Sequence, residues 1–407
     1  MHVLLIHQAF AALDEAGGTR HHELARYLVE RGHRVTIIAS PISYLTGKAR
    51  QGRVVWKDRQ EVEPGITILR TYTYSALHKS FVHRVISFLS FMLSSFLAGL
   101  QVRQVELVWG TSPPIFQGVT AWMLARLKGV PFLFEVRDLW PAFAIAVGVL
   151  RNPLLQRASL WLERFLYRRA DRVMVNSPGF IDHVTCRGAR WVELIPNGAA
   201  PEMFDPLADG RAYREQHHLN GKFVVLYAGA HGMSNDLCVM LQAAELLRGE
   251  PEIHFAFVGD GKEKASLQKE AAGMGLENVS FLPPVPKEQM GEVLAAADAC
   301  VAILKPLDLY KTTYPNKVFD YMAAGRPVLL AIDGVIRQVV ESAGAGIFVP
   351  PGDARALARA VRELAADPNR ARAMGTAGRR SIEAHFSRRV LAEKLALLVE
   401  EMRGARG

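Results

Sequence analysis

Between Tyr314 and Val328 the chain reads Tyr-Pro-Asn-Lys-Val-Phe-Asp-Tyr-Met-Ala-Ala-Gly-Arg-Pro-Val. Several of these residue types, in this spacing, fit a nucleoside diphosphate. Pro315 suits the first position of a helix, where its missing N–H costs nothing. The unsatisfied N–H groups of Asn316, Lys317 and Val318 then point out of the helix start and form an anion seat. Lys317 adds a full positive charge in the same turn. Asp320, one turn on, can accept hydrogen bonds from ribose hydroxyls. A capped surface helix would carry the same residues, so the reading needs company, and two glycine loops supply it. Tyr227-Ala228-Gly229-Ala230-His231-Gly232 and, in the first half, Gly17-Gly18 each follow a strand, and glycine lets backbone approach a ligand closely.

Other chemistries lack their residues. No Walker A sequence and no G-x-S-x-G elbow occurs. The first loop is not G-x-G-x-x-G, and Ser40-Pro41 stands where a dinucleotide site needs an acid after the second strand. Gly259-Asp260-Gly261 alone reads as a tight turn. His21-His22-Glu23 lacks the following His of H-E-x-x-H and reads as polar residues opening a helix. No Asp-x-Asp occurs, so a metal-bridged sugar-nucleotide site has no candidate, and no metal or other cofactor is expected. Cys186, Cys238 and Cys300 lie far apart and read as small buried hydrophobes in a reducing compartment.

The elements that must hold these loops alternate between short apolar runs and helical stretches. In the first half the strands are expected at His2–His7, Val35–Ala39, Leu107–Trp109, Pro131–Val136 and Val173–Asn176. A helix with Leu24, Tyr27 and Leu28 on one face is stopped by Gly32. The second half restarts with strands at Phe223–Ala228, His254–Val258, Val279–Leu282, Ala299–Ile303, Pro327–Ala331 and Gly346–Val349, and a helix at Leu237–Leu247. A polar stretch with Pro201, Pro206 and Gly210 joins the halves. The expected fold is α/β, with two Rossmann-like, doubly wound parallel-sheet domains facing across a cleft. Such sheets bind ligands at the carboxyl ends of their strands.

Charge is unevenly placed. Residues 1–200 hold 24 Lys and Arg against 14 Asp and Glu, a net of +10, and residues 201–407 a net of −1. A field of that sign favours an anionic partner. Val85–Val102 carries no charge and is flanked by Arg84 and Arg103, while Arg157, Arg164 and Arg168 fall on one helical face beside Trp161. Basic side chains beside aromatics suit anionic headgroups. The apolar stretch is long enough to cross a bilayer. Its serines, Ser87, Ser90, Ser94 and Ser95, and its place between two strands of one sheet favour an interfacial or core helix instead. The opening runs straight into a strand, without a leader's charged and apolar regions, so a cytoplasmic location is expected.

Taken together, the motifs resemble the retaining family-4 glycosyltransferases of the GT-B fold. The resemblance runs through Ala16-Gly17-Gly18, Arg31-Gly32-His33-Arg34-Val35, Glu135-Val136-Arg137-Asp138-Leu139-Trp140-Pro141, Pro196-Asn197-Gly198, Gly259-Asp260-Gly261 and Pro315–Val328. The strings around Glu135 and Pro315 are similar to the bacterial O-antigen and capsule branch, which includes N-acetyl-L-fucosamine transferases. The resemblance implies an acceptor-side domain 1–197, a nucleotide-sugar domain 198–385 and a terminal helix 386–407 packing back on the first. It implies metal-independent transfer, with retention, from a nucleotide-diphosphate donor (UDP-linked, a deoxy-amino sugar) to a lipid-linked glycan. The donor seat would be Gly17, Gly18, Gly229, His231, Gly232, Asn316, Lys317, Val318 and Asp320. Lys317 and Asp138 would be catalytic, with Glu135 and Arg137 on the acceptor side. The family's E-x7-E pair is altered: Asp320 takes its second position and Thr312 its first. Met233-Ser234-Asn235-Asp236 lacks the basic residue many relatives carry, leaving more of the diphosphate charge to Lys317, with Lys305. Partners are then the donor, the acceptor and an anionic membrane at the inner face of the cytoplasmic membrane, with no nucleic acid. A sugar-nucleotide 2-epimerase and a non-catalytic nucleotide-sugar-binding subunit are the rival readings.

Overall fold

The computed structural model describes residues 1–13, 15, 18–43, 47, 49, 56–75 and 81–404. The chain divides into two compact units. One comprises Met1–Ala12, Gly17–Pro196 and Arg389–Gly407, and the other Leu13–Ala16 and Asn197–Arg388.

The first unit is built on β1 (His2–Ile6), β2 (Arg34–Ala39), β3 (Lys57–Glu63), β4 (Ile66–Thr71), β5 (Leu107–Ser112), β6 (Phe132–Val136), β7 (Arg172–Val175) and β8 (Val192–Leu194). They lie in the order β3-β4-β2-β1-β5-β6-β7-β8. All neighbouring pairs are parallel except β3 with β4, so the expected parallel sheet also carries one antiparallel edge strand. The helices are α1 (Arg20–Glu30), α2 (Phe81–Gln101), α3 (Phe116–Lys128), α4 (Ala142–Ala146), α5 (Pro153–Arg169) and α6 (Ile181–Cys186), and Arg388–Gly404 closes the unit. Leu391, Leu395, Val399 and Met402 of that last helix share a core with Val3, Leu5, Leu24 and Trp109.

The second unit holds β9 (Phe223–Ala228), β10 (Ile253–Val258), β11 (Val279–Leu282), β12 (Ala299–Ile303), β13 (Val328–Ala331) and β14 (Gly346–Phe348). They run in the order β11-β10-β9-β12-β13-β14 and all pairs are parallel. Parallel strands covered on both faces read as unbroken apolar runs, and Val224–Ala228 and Ala299–Ile303 are buried throughout. Of the cysteines, Cys300 is buried as expected, but Cys186 is exposed.

α2 is long and apolar enough to cross a membrane, yet it lies on the first sheet with its hydroxyls turned inward. Ser94 Oγ donates to the Tyr72 carbonyl at 2.6 Å, Ser90 Oγ accepts from the Tyr74 N–H at 2.9 Å, and the Thr120 hydroxyl of α3 donates to the Met92 carbonyl at 3.1 Å. Gly99 lets the two helices close together, since a Cβ there would stand 2.4 Å from Leu124 Cδ1. The outward stripe is Val82, Ile86, Leu89, Leu93, Leu97 and Leu100, all exposed. A helix of an isolated soluble domain has the opposite polarity.

Candidate active site

In the second unit the loops after β9 and β10 interlock. The Gly229 N–H donates to the Val258 carbonyl at 2.9 Å and the His231 N–H to the Asp260 carbonyl at 2.8 Å. A Cβ on Gly259 would come within 1.9 Å of the Gly229 carbonyl oxygen, so this glycine is required by backbone meeting backbone. Gly229 (φ +146°) holds a backbone conformation that side chains rarely adopt, and a Cβ there would press to 3.1 Å from Lys317 Nζ. The Gly229 and His231 amides are therefore spent inside the protein. What this corner offers a ligand comes from side chains.

Lys317 is the centre of it. Its Nζ donates to the Tyr227 hydroxyl at 2.6 Å and lies 3.9 Å from the centroid of the same ring. Burial pulls the ammonium down to about 7, so it stands near half-charged at neutral pH. Tyr321 ties the corner together, its hydroxyl accepting from the Ala228 N–H at 3.0 Å and donating to the Ala228 carbonyl. His231 is fully buried, edge-on to Phe257 and Phe281. Among the described residues neither of its ring nitrogens has a hydrogen-bond partner. Burial first, then the charges of Lys264 and Lys317, hold the imidazole down to about 4, so it is neutral at pH 7. A buried polar group without a partner costs about 1–3 kcal/mol.

The helix Asn316–Ala323 begins one residue later than expected, with Pro315 as its cap. The Val318 N–H is consequently taken by the Pro315 carbonyl at 3.2 Å, so Val318 drops out of the expected anion seat and Asn316 and Lys317 remain. Asp320 is already ion-paired, with Lys287 Nζ at 2.6 Å. A Cβ on Gly232 would stand at ordinary contact distance, 3.6 Å, from Asn235 Nδ2. Thr312 turns its hydroxyl onto the Leu309 carbonyl at 2.6 Å. Lys305 meets the β9 loop through its backbone N–H, which donates to the Ser234 carbonyl at 3.0 Å.

In the first unit Gly17 lies outside the described residues, and Gly18 stands in open space. Glu135, at the end of β6, is fully buried. It receives the Arg20 guanidinium on one oxygen and the His21 Nε2–H on the other, at 2.6 Å. Burial alone would raise this carboxyl; His21 and Arg20 outweigh it and hold it down to about 2. Burial holds His21 down to about 4, so Arg20 carries the balancing charge. Glu135 therefore anchors α1 to β6, which corrects its expected place on the acceptor side. Arg137 reaches the carbonyls of Ser112 at 3.3 Å and Pro113 at 3.4 Å, a positioning contact between strand ends. Asp138 keeps solvent access, yet enough protein surrounds it to push its carboxyl up to about 6 against the pull of Arg137. Among the described residues no cluster of His, Cys, Asp and Glu is arranged to hold a metal.

Sequence reasoning missed Tyr227, Tyr321, Lys264 and Lys287 as site residues. Both tyrosines lie inside the quoted motifs, where an aromatic on a buried face gives no signal beyond ordinary core. Lys264 and Lys287 carried none.

Residues 16–198 match the model of the glycosyl transferase 4-like domain and residues 222–367 that of glycosyl transferases group 1. A protein assigned to colanic acid biosynthesis as a glycosyl transferase, WcaI of Escherichia coli K12, is 26% identical over 84% of this chain and 86% of its own. Among solved structures, sucrose-phosphate synthase from Thermosynechococcus elongatus superposes with a TM-score of 0.78 at 21% identity, covering 99% of each chain. Anabaena HepE, solved in complex with UDP and glucose, superposes with a TM-score of 0.75 at 16% identity, covering 98% of this chain and 100% of its own. With a 4-like domain followed by a group 1 domain on two parallel-sheet α/β units, the chain belongs to the glycosyltransferases of the GT-B fold.

Proposed function

We propose that the protein transfers a sugar, with retention and without a metal, from a UDP-linked donor to a lipid-linked glycan acceptor. The reaction would take place on the inner face of the cytoplasmic membrane during cell-surface polysaccharide synthesis. One observation carries the donor half: Lys317, near half-charged on Tyr227, stands beside Gly229 and the partnerless ring of His231. A diphosphate entering here recharges Lys317 and gives His231 a partner. As the glycosidic bond breaks, charge gathers on the leaving phosphate, where a fixed cation stabilises the transition state more than the ground state. The leaving phosphate oxygen takes the acceptor proton, so no separate strong base is required. Asp138, the solvent-accessible acid of the first unit, contacts the acceptor hydroxyl. The UDP reading draws on the neighbour solved with UDP, and the polysaccharide reading on the WcaI relative. Metal independence rests on the sequence, which has no Asp-x-Asp.

The membrane half rests on the exposed aliphatic stripe of α2, together with Arg157, Arg164, Arg168 and Trp161, all exposed on α5. Each cation near an anionic surface contributes about 1 kcal/mol. The donor test is a thermal-shift panel of nucleotide sugars. At one hundred times Kd, a donor adds about 2.7 kcal/mol to the stability of the fold that binds it. A UDP-sugar is expected to raise the midpoint, and turnover with that donor is expected to survive EDTA. No shift with any UDP-sugar, or activity restored only by manganese, removes the donor assignment. For the surface, pelleting with acidic but not neutral vesicles, reversed by salt, is the expected result.

A further inference from the structure

The outward stripe of α2 does not end in open solvent at its first turn. A groove of about 290 Å³ lies there, walled by Val82, Ile86 and Phe88 of α2, Phe116 of α3, and Val149 and Leu155 near and on α5. Its lining is apolar apart from Arg84 and Ser159. Trp140 closes one side, 6.2 Å from Phe116 between ring centroids. The Trp140 N–H in turn donates to the Asp138 carbonyl at 2.8 Å. An apolar slot thus runs from an exposed aliphatic ridge to the backbone of the acid assigned to the acceptor hydroxyl, with one guanidinium in its wall.

We propose that this groove binds the hydrocarbon chain next to the phosphate of the lipid-linked acceptor, with Arg84 meeting that phosphate. The inference rests on the lipid-linked reading above. Three features choose this occupant. The groove is continuous with the aliphatic ridge through Val82 and Ile86, so a chain leaving a bilayer stays in apolar surroundings. Each apolar side chain it covers takes hydrocarbon out of water, which favours binding. Arg84 supplies the charge that complements a phosphate monoester or diester at the head of such a chain. Trp140 and Asp138 share a hydrogen-bonded turn, so a chain seated against the indole holds its head group near Asp138 and brings the reacting hydroxyl within reach. Seating the chain prepays the ordering that would otherwise oppose transfer.

All six tryptophans, Trp140 among them, lie in the first unit, so tryptophan emission can follow filling of the groove in the full-length chain. The probes are farnesyl phosphate (a short isoprenoid phosphate), farnesol, inorganic phosphate and dodecyl maltoside. Farnesyl phosphate is expected to give a saturable change, farnesol one weaker by about tenfold for loss of the charged contact, and inorganic phosphate none. Ala144→Trp, which fills the groove from α4, is expected to abolish the response, and Arg84→Gln to reduce farnesyl phosphate to the level of farnesol. Leu155→Glu places a charge at an exposed wall position without emptying the core, and is expected to act like Ala144→Trp should that variant fold poorly. Leu127→Trp, on the exposed face of α3, is expected to leave binding unchanged. Equal responses to farnesyl phosphate and dodecyl maltoside that survive Ala144→Trp would place the chain on the outer ridge and overturn the groove. A concentration-dependent doubling of mass that Leu155→Glu abolishes would assign the groove to a second copy, with the same consequence. The donor panel keeps the outcomes apart: UDP-sugars that still raise the midpoint while farnesyl phosphate fails leave the transferase reading intact and remove only this site.

Discussion

The two units solve the same architectural problem with opposite interiors. In the second, buried side chains are apolar almost without exception. All but three of the buried polar or charged residues of the described chain, Asn197, His231 and Arg388, belong to the first unit. There, charged pairs cross the interior: Glu135 with Arg20 and His21, and Glu163 with His183 and Arg187. Among the described residues the second unit's buried imidazole, His231, has no hydrogen-bond partner on either ring nitrogen. A buried pair contributes little net stability but is costly to break, because the surviving charge has nowhere to go. The first unit thus carries specific polar contacts through its interior, whereas the second is held chiefly by apolar packing.

The largest test of that contrast is Glu135→Leu. It takes the carboxylate away from the buried Arg20 guanidinium, and is expected to cost about 3–5 kcal/mol. Urea unfolding followed by tryptophan emission reads the first unit alone, because the second has no tryptophan. An unchanged midpoint would mean that the polar interior is decoration. Next in size is Lys317→Ala in the second unit. It is expected to lower kcat by about tenfold to a hundredfold, the equivalent of ~1.5–3 kcal/mol for a charged contact, while the unfolding midpoint followed by far-UV circular dichroism, which reads both units, stays where it was. A fall in stability without a fall in kcat would make the residue structural.

Asp320→Asn comes third. Breaking its pair with Lys287 is expected to raise the donor KM by several-fold, about 1 kcal/mol, and calorimetry showing the same donor affinity would detach the pair from the site. The smallest signal is a proton count. The folded pKa of Lys317 is depressed to about 7 from its ordinary 10.5, so the unfolded chain binds the extra proton between those values. Stability from this group falls as pH drops from 10.5 towards 7, and is regained as pH rises. A diphosphate that recharges the lysine should take up on the order of one proton at pH 8.5. Calorimetry in two buffers of different ionisation enthalpy measures it, and identical heats in both would show that Lys317 does not meet the phosphates.

The same contrast explains what was readable. In the second unit, strand boundaries fell within a residue of those read from the apolar runs, because a strand buried on both faces carries its own signature. In the first, β3 is Lys-Asp-Arg-Gln-Glu-Val-Glu, an exposed antiparallel edge whose polar sequence resembles a loop, and β8 has only three residues. Glu135 reads as an accessible acid at a strand end until its partners, more than a hundred residues away in the chain, are known. The serines of α2 repeat at helical spacing, so a polar stripe was visible. Which way it faced was decided by the Tyr72 carbonyl, 22 residues before Ser94. The Lys317 corner was legible as charge beside glycine. The tyrosine that holds the ammonium was not, since an aromatic ending a buried strand is ordinary core.

The chain passes from the first unit to the second after Pro196 and returns after Arg388. The order of synthesis then acquires a meaning. At roughly 5–20 residues per second, the N-terminal sheet waits on the order of 10–40 seconds for the helix Arg388–Gly404 that covers part of its core. During that interval the surface that Leu391, Leu395 and Val399 will bury around Val3, Leu5 and Trp109 is open. The second unit, contiguous apart from Leu13–Ala16, can condense as it emerges. The first unit to be translated is therefore the last to be finished, and a nascent chain stalled near its end exposes the N-terminal domain to chaperones and proteases.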